Sequence, residues 1–414
     1  MSMKKIIFTI LVPLILIGCD HIGSTRVKNL IDLTPKLEKD SNEKVILSDA
    51  KKNPFSDEKV KSYKLAKHSI IAQPAIAKKV IYSVDSKGHV SAFSLKENKI
   101  IWTTDIAKGS LDRNFNAGGI LYSDEKLFVT NGSRNLVILD ANTGDEIIRK
   151  EFPDILRVKP VMADDRILLV QTISNQLLAY DTKSSSLLWM HEGGIETIST
   201  KNNVAPVINY HHALISYSSG EVVYIDIKSG KEKWIFNLSN AGDAGLPSFD
   251  PALIVTTPII NGNYVYFATS NGKVLKINLD DGTPIWQKQA DDVQSISLFG
   301  DNLFITNNAR QIASLSTHNG KVKWIGNLIS EEERKTKRPQ PVIFQPPFVS
   351  AIDNNGIALN VVASNGQLYQ FIQDASGQLP LQPKIVKIEK QVRYQWLSCC
   401  TGKLHLITAR EIKF

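Results

Sequence analysis

The 414-residue sequence has only three cysteines, and Cys19 closes an apolar run near the amino terminus. The other two, Cys399 and Cys400, are neighbours. An adjacent pair does not staple distant parts of a fold, which excludes a disulfide framework. No apolar stretch reaches the roughly 20 residues that a membrane-spanning helix needs. Charge of one sign is in only modest excess: 49 basic and 41 acidic residues leave +8, too dilute over this length for a nucleic-acid surface. There is no phosphate-binding glycine loop and no Gly-x-Ser-x-Gly elbow, and no Cys or His stands at zinc spacing around His211-His212. What is present, 43% hydrophobic and 22% charged residues, is ordinary globular material and excludes disorder throughout.

The amino terminus reads as a secretory signal. Lys4 and Lys5 precede an apolar core from Ile6 to Ile17, and Gly18-Cys19 ends it. Leu16-Ile17-Gly18-Cys19 follows the bacterial lipobox pattern of a branched aliphatic residue, a second aliphatic or small residue, a small residue and Cys. Residues 1–18 are therefore expected to be a lipoprotein signal peptide and Cys19 the lipidation site, where a thioether to diacylglycerol anchors a soluble domain. Asp20 resembles the inner-membrane retention signal of enteric bacteria, a sorting rule that does not hold across all Gram-negative lineages. Residues 19–57 are polar and mixed in charge, and are predicted to be a lipidated flexible tether with a root-mean-square span of roughly 30 to 40 Å.

From residue 58 onward one pattern recurs: an apolar strand, a small or Gly-containing turn, a second strand, then a turn with a large residue four positions on. Val223 to Trp234, Lys276 to Trp286 and Ser314 to Trp324 are the clearest copies. Aligned on the second turn, its Gly slot reads Asn98, Gly144, Ser185, Gly230, Gly282, Gly320 and Gly377. The large slot reads Trp102, Ile148, Trp189, Trp234, Trp286, Trp324 and Leu381, so five of six tryptophans fall in phase. Turn signals such as Asn261-Gly262, Asn271-Gly272 and Asp281-Gly282 make each unit two hairpins.

Four short strands per unit are the signature of a propeller blade. Residues 58–414, at about 44 per unit, predict a single all-β domain: an eight-bladed propeller of four-stranded antiparallel blades, with seven blades as the alternative. Val60 to Leu65, with Tyr63 as its bulky residue, is expected to supply the missing outer strand of the last blade and so close the ring. The tryptophans are expected to wedge between blades, burying about 150 to 250 Å² and contributing at most roughly 4 to 6 kcal/mol each.

The composite of Pro258, Asn261-Gly262, Val265-Tyr266, Asn271-Gly272, Leu275, Asp281-Gly282 and Trp286 resembles the pyrroloquinoline quinone (PQQ) type propeller repeat. Together with the lipobox and the eight-blade count, the chain is similar to the BamB family, lipoprotein subunits of the outer-membrane β-barrel assembly machinery. The resemblance implies a non-catalytic scaffold without cofactor, metal, small-molecule substrate or nucleic acid. It implies an outer-membrane location, lipid-anchored with the propeller facing the periplasm, and a BamA-like barrel protein and other assembly subunits as partners. Two contact segments carry over. One spans Ile198 to Pro206, where Ile198 takes the family's apolar position, Lys201 its basic one, and Thr200 replaces a second apolar residue. The other ends at Thr256-Thr257-Pro258; there Leu253 and Val255 replace acidic residues, and Asp250 is the nearby carboxylate.

The alternatives are another periplasmic adaptor propeller and a PQQ-dependent quinoprotein dehydrogenase. Cys399-Cys400 is the feature most like those enzymes, several of which carry an adjacent disulfide, but theirs lies early in the chain. The long intervals after Trp234 and Trp324 place insertions at Leu238 to Val255 and at Ser330 to Pro347, expected to cluster on one face of the disc as a binding face. The charged run Glu331 to Arg338 is expected to be a solvated insertion loop or a partner-binding element.

Overall fold

The seven turn slots singled out by phase share one backbone state: Asn98, Gly144, Ser185, Gly230, Gly282, Gly320 and Gly377 all have φ between 56° and 79°. This left-handed conformation lets a short turn reverse the chain between third and fourth strands. In the computed structural model, such turns organise an all-β architecture. The structure describes residues 37–45, 47, 51–52, 62–108, 115, 117–156, 158–194, 204–238, 252–329, 333, 341–352, 356–388, 392, 394–397, 404–407 and 411–413. Cys19 and Cys399-Cys400 lie outside them. Among the described residues no helix is long and apolar enough to cross a membrane.

Eight sheets form, each a sequential antiparallel meander of four strands, and one carries a fifth strand. In blade 4 the strands are Val207–Asn209, His212–Ser216, Glu221–Asp226 and Glu232–Asn237. The other meanders span 75–105 (blade 1), 119–151 (blade 2), 161–192 (blade 3), 259–289 (blade 5), 293–327 (blade 6) and 348–387 (blade 7). Blade 8 combines Tyr394–Leu397, Leu404–Ile407 and Glu411–Lys413 with Ser62–Lys64 from the other end of the chain. Tyr63 stands opposite Ile412 in that antiparallel pairing, so the amino-terminal strand closes the ring.

The middle strands are buried on both faces: Val222, Val223, Tyr224 and Ile225 are all inaccessible, as are Val265, Tyr266, Phe267 and Ala268. Each blade is covered by a neighbour on either side, which is why these strands read as continuous apolar runs and not as alternation. Fourth strands form the rim and are largely exposed, as in Glu146–Glu151, except in blade 6, where Val322–Asn327 is mostly buried.

The phased tryptophans join blade to blade. Trp102 Nε1 donates to Ala141 O at 3.1 Å, Trp189 to Ile227 O at 2.9 Å, Trp234 to Leu279 O at 2.8 Å, Trp286 to Thr317 O at 3.0 Å and Trp324 to Leu379 O at 3.1 Å. Four of these rings lie on the turn glycine of the following blade. A Cβ on Gly144, Gly230, Gly282 or Gly320 would come within 2.5 to 2.8 Å of the docked indole. Glycine is required at those four turns by close approach as well as by φ.

The expected tether to residue 57 is corrected in one respect. Leu37, Val45 and Leu47 are buried: Leu37 within apolar side chains of blades 5 and 6, and Val45 and Leu47 among those of blades 6 and 7. Leu37 N–H donates to Gln311 Oε1 at 3.2 Å, and Asp40 and Ser41 N–H donate to Val322 O at 3.1 and 3.0 Å. Gln373 Nε2 donates to Val45 O at 3.1 Å, and Lys323 pairs with Glu43 at 3.4 Å. Lys51–Lys52 then adds a parallel strand to blade 7, opposite Ser350 and Ala351. This stretch is a strap seated on the propeller. Three apolar side chains with backbone hydrogen bonds outweigh its polar composition, which a composition argument cannot detect.

Candidate partner-binding face

In a four-stranded meander the turn between strands two and three and the connection to the next blade emerge on the same side. Backbone hydrogen bonds tie the two together around the ring. Ile106 N–H donates to Gly88 O, Gly193 to Asn175 O, Leu238 to Gly220 O, Ala290 to Gly272 O, Leu328 to Arg310 O and Ile388 to Gly366 O, at 2.7 to 2.9 Å. The described starts of these connections therefore lie on one face, with the turns between second and third strands. Of the run Glu331 to Arg338 only Glu333 is described, and it pairs with buried Arg310 of blade 6 at 2.9 Å. The insertion is thus pinned to that face at this residue and is not solvated throughout.

The segment leading into blade 5 shows how the face is built. Ile254 bridges Thr269, Leu253 N–H donates to Ser270 Oγ at 2.9 Å, and Ser270 and Val255 N–H donate to Leu253 O and Ala268 O at 2.8 and 2.9 Å. Extended backbone alternates its side chains. Ala252, Ile254 and Thr256 turn inward, while Leu253 is half-buried and Val255 is 41% exposed.

The same construction leads into blades 3 and 7, where Leu156 bridges Thr172 and Phe344 bridges Ala363. There Ile155 and Ile343 occupy the position of Leu253, 36% and 62% exposed. Sequence reasoning missed these two residues. Their signal is the register, one residue before a buried apolar residue that pairs with the turn of the next blade. Ile198, Thr200, Lys201 and Asp250 lie outside the described residues, so of the six expected contact residues the structure places Leu253 and Val255, both on the connection face. The five docking tryptophans lie instead at blade-to-blade seams. His211 and His212, considered as metal ligands from sequence, do not converge on a ligand set: His211 is exposed, and His212 stacks on Tyr224 with ring centroids 4.9 Å apart.

The profile of the family described as "Outer membrane protein assembly factor BamB" matches residues 86–326, more than half of the chain. The chain belongs to the BamB family. An uncharacterized protein of Rickettsia prowazekii is 43% identical over 416 residues, covering 100% of this chain and 99% of that protein. The outer membrane protein assembly factor BamB of Shewanella oneidensis is 26% identical over 344 residues, covering 81% of this chain and 84% of that one. The crystal structure of BamB from Moraxella catarrhalis superposes with a TM-score of 0.66 at 16% identity, covering 85% of this chain and 97% of that one. At that identity the likeness shows a shared BamB fold.

Proposed function

We propose that this chain is a non-catalytic scaffold of the outer-membrane β-barrel assembly machinery, lipid-anchored through Cys19 with its propeller in the periplasm, and that it binds a BamA-like subunit and supports insertion of outer-membrane proteins. Membership of the BamB family supports the class. The observation that carries the binding reading is the outward apolar display at Leu253 and Val255, with Ile155 and Ile343 at the equivalent lead-in position of blades 3 and 7, on the connection face. With a net charge of only +8 spread over 414 residues, recognition is expected to rest mainly on apolar contact with a polar rim. Ile198, Thr200 and Lys201, with Asp250, complete the proposed interface.

The reading is tested by capture from solubilised membranes. Val255→Asp, and separately Ile198→Asp with Lys201→Glu, are expected to lower recovery of the BamA-like protein by about tenfold or more, or about 1.4 kcal/mol, with thermal unfolding unchanged. Unaltered recovery in both variants removes these segments from the interface, and absence of any BamA-like protein from the wild-type capture defeats the functional reading. Cys19→Ser is expected to move the protein from the membrane to the soluble fraction.

A further inference from the structure

The turn between the second and third strands has the same length in the other six meanders that keep it, yet its chemistry differs in blade 1. Its first residue is Asp85, where blades 2 to 7 have Asn131, Thr172, Tyr217, Thr269, Asn307 and Ala363. The residue that follows the turn is His89, a position that holds no other histidine. Neither is needed to make the turn. The hydrogen bond from Asp85 N–H to His89 O at 2.9 Å has counterparts from Thr172 to Gln176, from Thr269 to Lys273 and from Ala363 to Gln367, also at 2.8 to 2.9 Å. A third group joins them from the segment that closes the ring. His68 lies two residues before Ile70, which bridges Asp85; the equivalent places ahead of blades 5 and 7 hold Ala252 and Val342.

His68, Asp85 and His89 each offer a ligand atom, all within 4.8 Å of one another. The Asp85 carboxylate is fully buried. It accepts the N–H groups of Lys87 and His89 on Oδ1 at 2.9 and 3.0 Å and that of His68 on Oδ2 at 3.2 Å, which fixes its orientation. His89 Nδ1 stands 3.2 Å from Oδ1 and 3.3 Å from Oδ2. Ligands about 2.0 to 2.2 Å from a tetrahedral zinc ion are separated by roughly 3.3 Å, so this pair already spans one edge. The half-buried His68 ring is stacked on His89 with centroids 5.6 Å apart, and a side-chain rotation carries its ligand atom from within 4.8 Å of the other two toward the third corner.

We propose that His68, Asp85 and His89 form a binding site for a divalent transition-metal ion of the zinc class, with the fourth position left to water or another ligand. Two imidazoles and a carboxylate match the ligand preference of such ions. The backbone donors on Asp85 supply the outer support that ligating carboxylates require. Because His68 lies four residues beyond the closing strand Ser62–Lys64 while the other two belong to blade 1, the ion would tie the closing segment to the first blade.

The test uses the full chain, purified without a histidine tag, stripped with chelator, and titrated with Zn²⁺ and with Co²⁺ as a spectroscopic probe. The wild type is expected to take up one equivalent with a ligand-field spectrum of low coordination number and to unfold at higher temperature with Zn²⁺ than without. His68→Gln, His89→Gln and Asp85→Asn are each expected to weaken uptake by about 10- to 100-fold, while His211→Gln leaves it unchanged. His68→Gln alters a half-buried side chain and keeps the inference testable should Asp85→Asn fail to fold. No stoichiometric uptake by the folded wild type, or uptake equal in wild type, His68→Gln and His89→Gln, overturns the site.

Discussion

Two seams of the same ring solve one packing problem with different residues. Between blades 4 and 5, the Trp234 indole donates to Leu279 O and covers Gly282, whose missing side chain is the space the ring fills. Between blades 2 and 3 the slot holds Ile148, and the turn it faces carries Ser185 at φ 56°. That seam is completed by other means. Phe152 meets Tyr180 edge-on at 5.9 Å, Lys150 lies over the Tyr180 ring, and Arg166, from the turn between the first two strands of blade 3, donates its Nε–H to Asp181 at 3.0 Å. At four seams the ring lies on a turn glycine whose Cβ it would meet, whereas Ile148 stands opposite a serine and leaves that turn to be held by polar groups; Gly377, in the slot after Trp324, has no indole against it. Size and turn residue are matched across the blade boundary, not within a blade.

The sharpest way to break this comparison is truncation. Trp234→Ala is expected to cost about 3 to 5 kcal/mol in reversible unfolding. Ile148→Ala is expected to cost less, at about 2 kcal/mol for a half-buried aliphatic residue; equal losses would mean that the indole carries no special share. Next in size is Gly282→Ala, at about 2 kcal/mol or more. Its Cβ would lie 2.7 Å from Trp234 Cδ2 at φ +74°, and the left-handed backbone alone costs roughly 1 to 2 kcal/mol. Combining it with Trp234→Ala should cost less than the sum, because the clash disappears with the ring.

Acid separates the two seams further. The Arg166 guanidinium, together with the N–H groups of Lys183 and Ser184, holds the Asp181 carboxyl far below the usual carboxylate range. A depressed folded pKa means that the stabilisation is complete above about pH 4 and declines as pH falls below it. The melting-temperature gap between wild type and Asp181→Asn should therefore narrow from pH 5 to pH 2, while the gap for Trp234→Ala stays constant. The smallest effect expected is a gain. Ser185→Gly relieves a left-handed non-glycine residue and should stabilise by about 0.5 to 1 kcal/mol, with no comparable gain available at the Trp–Gly seams.

The ring was legible because its signals are local and repeated. Glycine or a substitute four positions before a large residue marks a turn and a docking group together, and six further copies check the first. Ring closure was legible too, since Tyr63 fills the one outer strand the carboxyl-terminal blade lacks. Ile155 and Ile343 were not, because each is one apolar residue in a lead-in segment, and only pairing with a turn shows which side faces out. The strap was missed for a related reason: Leu37, Val45 and Leu47 are three scattered apolar residues in a polar segment and gain meaning only from Gln311, Val322 and Gln373, more than 250 residues away. His68, Asp85 and His89 follow no zinc spacing, and the bridge from Ile70 to Asp85 is what brings the first to the other two.

The strap also decides how load passes through the molecule. Leu37 sits between blades 5 and 6, Val45 and Leu47 between blades 6 and 7, Lys51–Lys52 on blade 7 and Ser62–Lys64 on blade 8, so the amino-terminal chain is fastened at successive points before it becomes part of the ring. A pull from the amino-terminal side meets these fastenings in series. Like the cord grip on a cable, they take up tension before it reaches the short closing strand, which is held to the carboxyl-terminal strand by three paired residues.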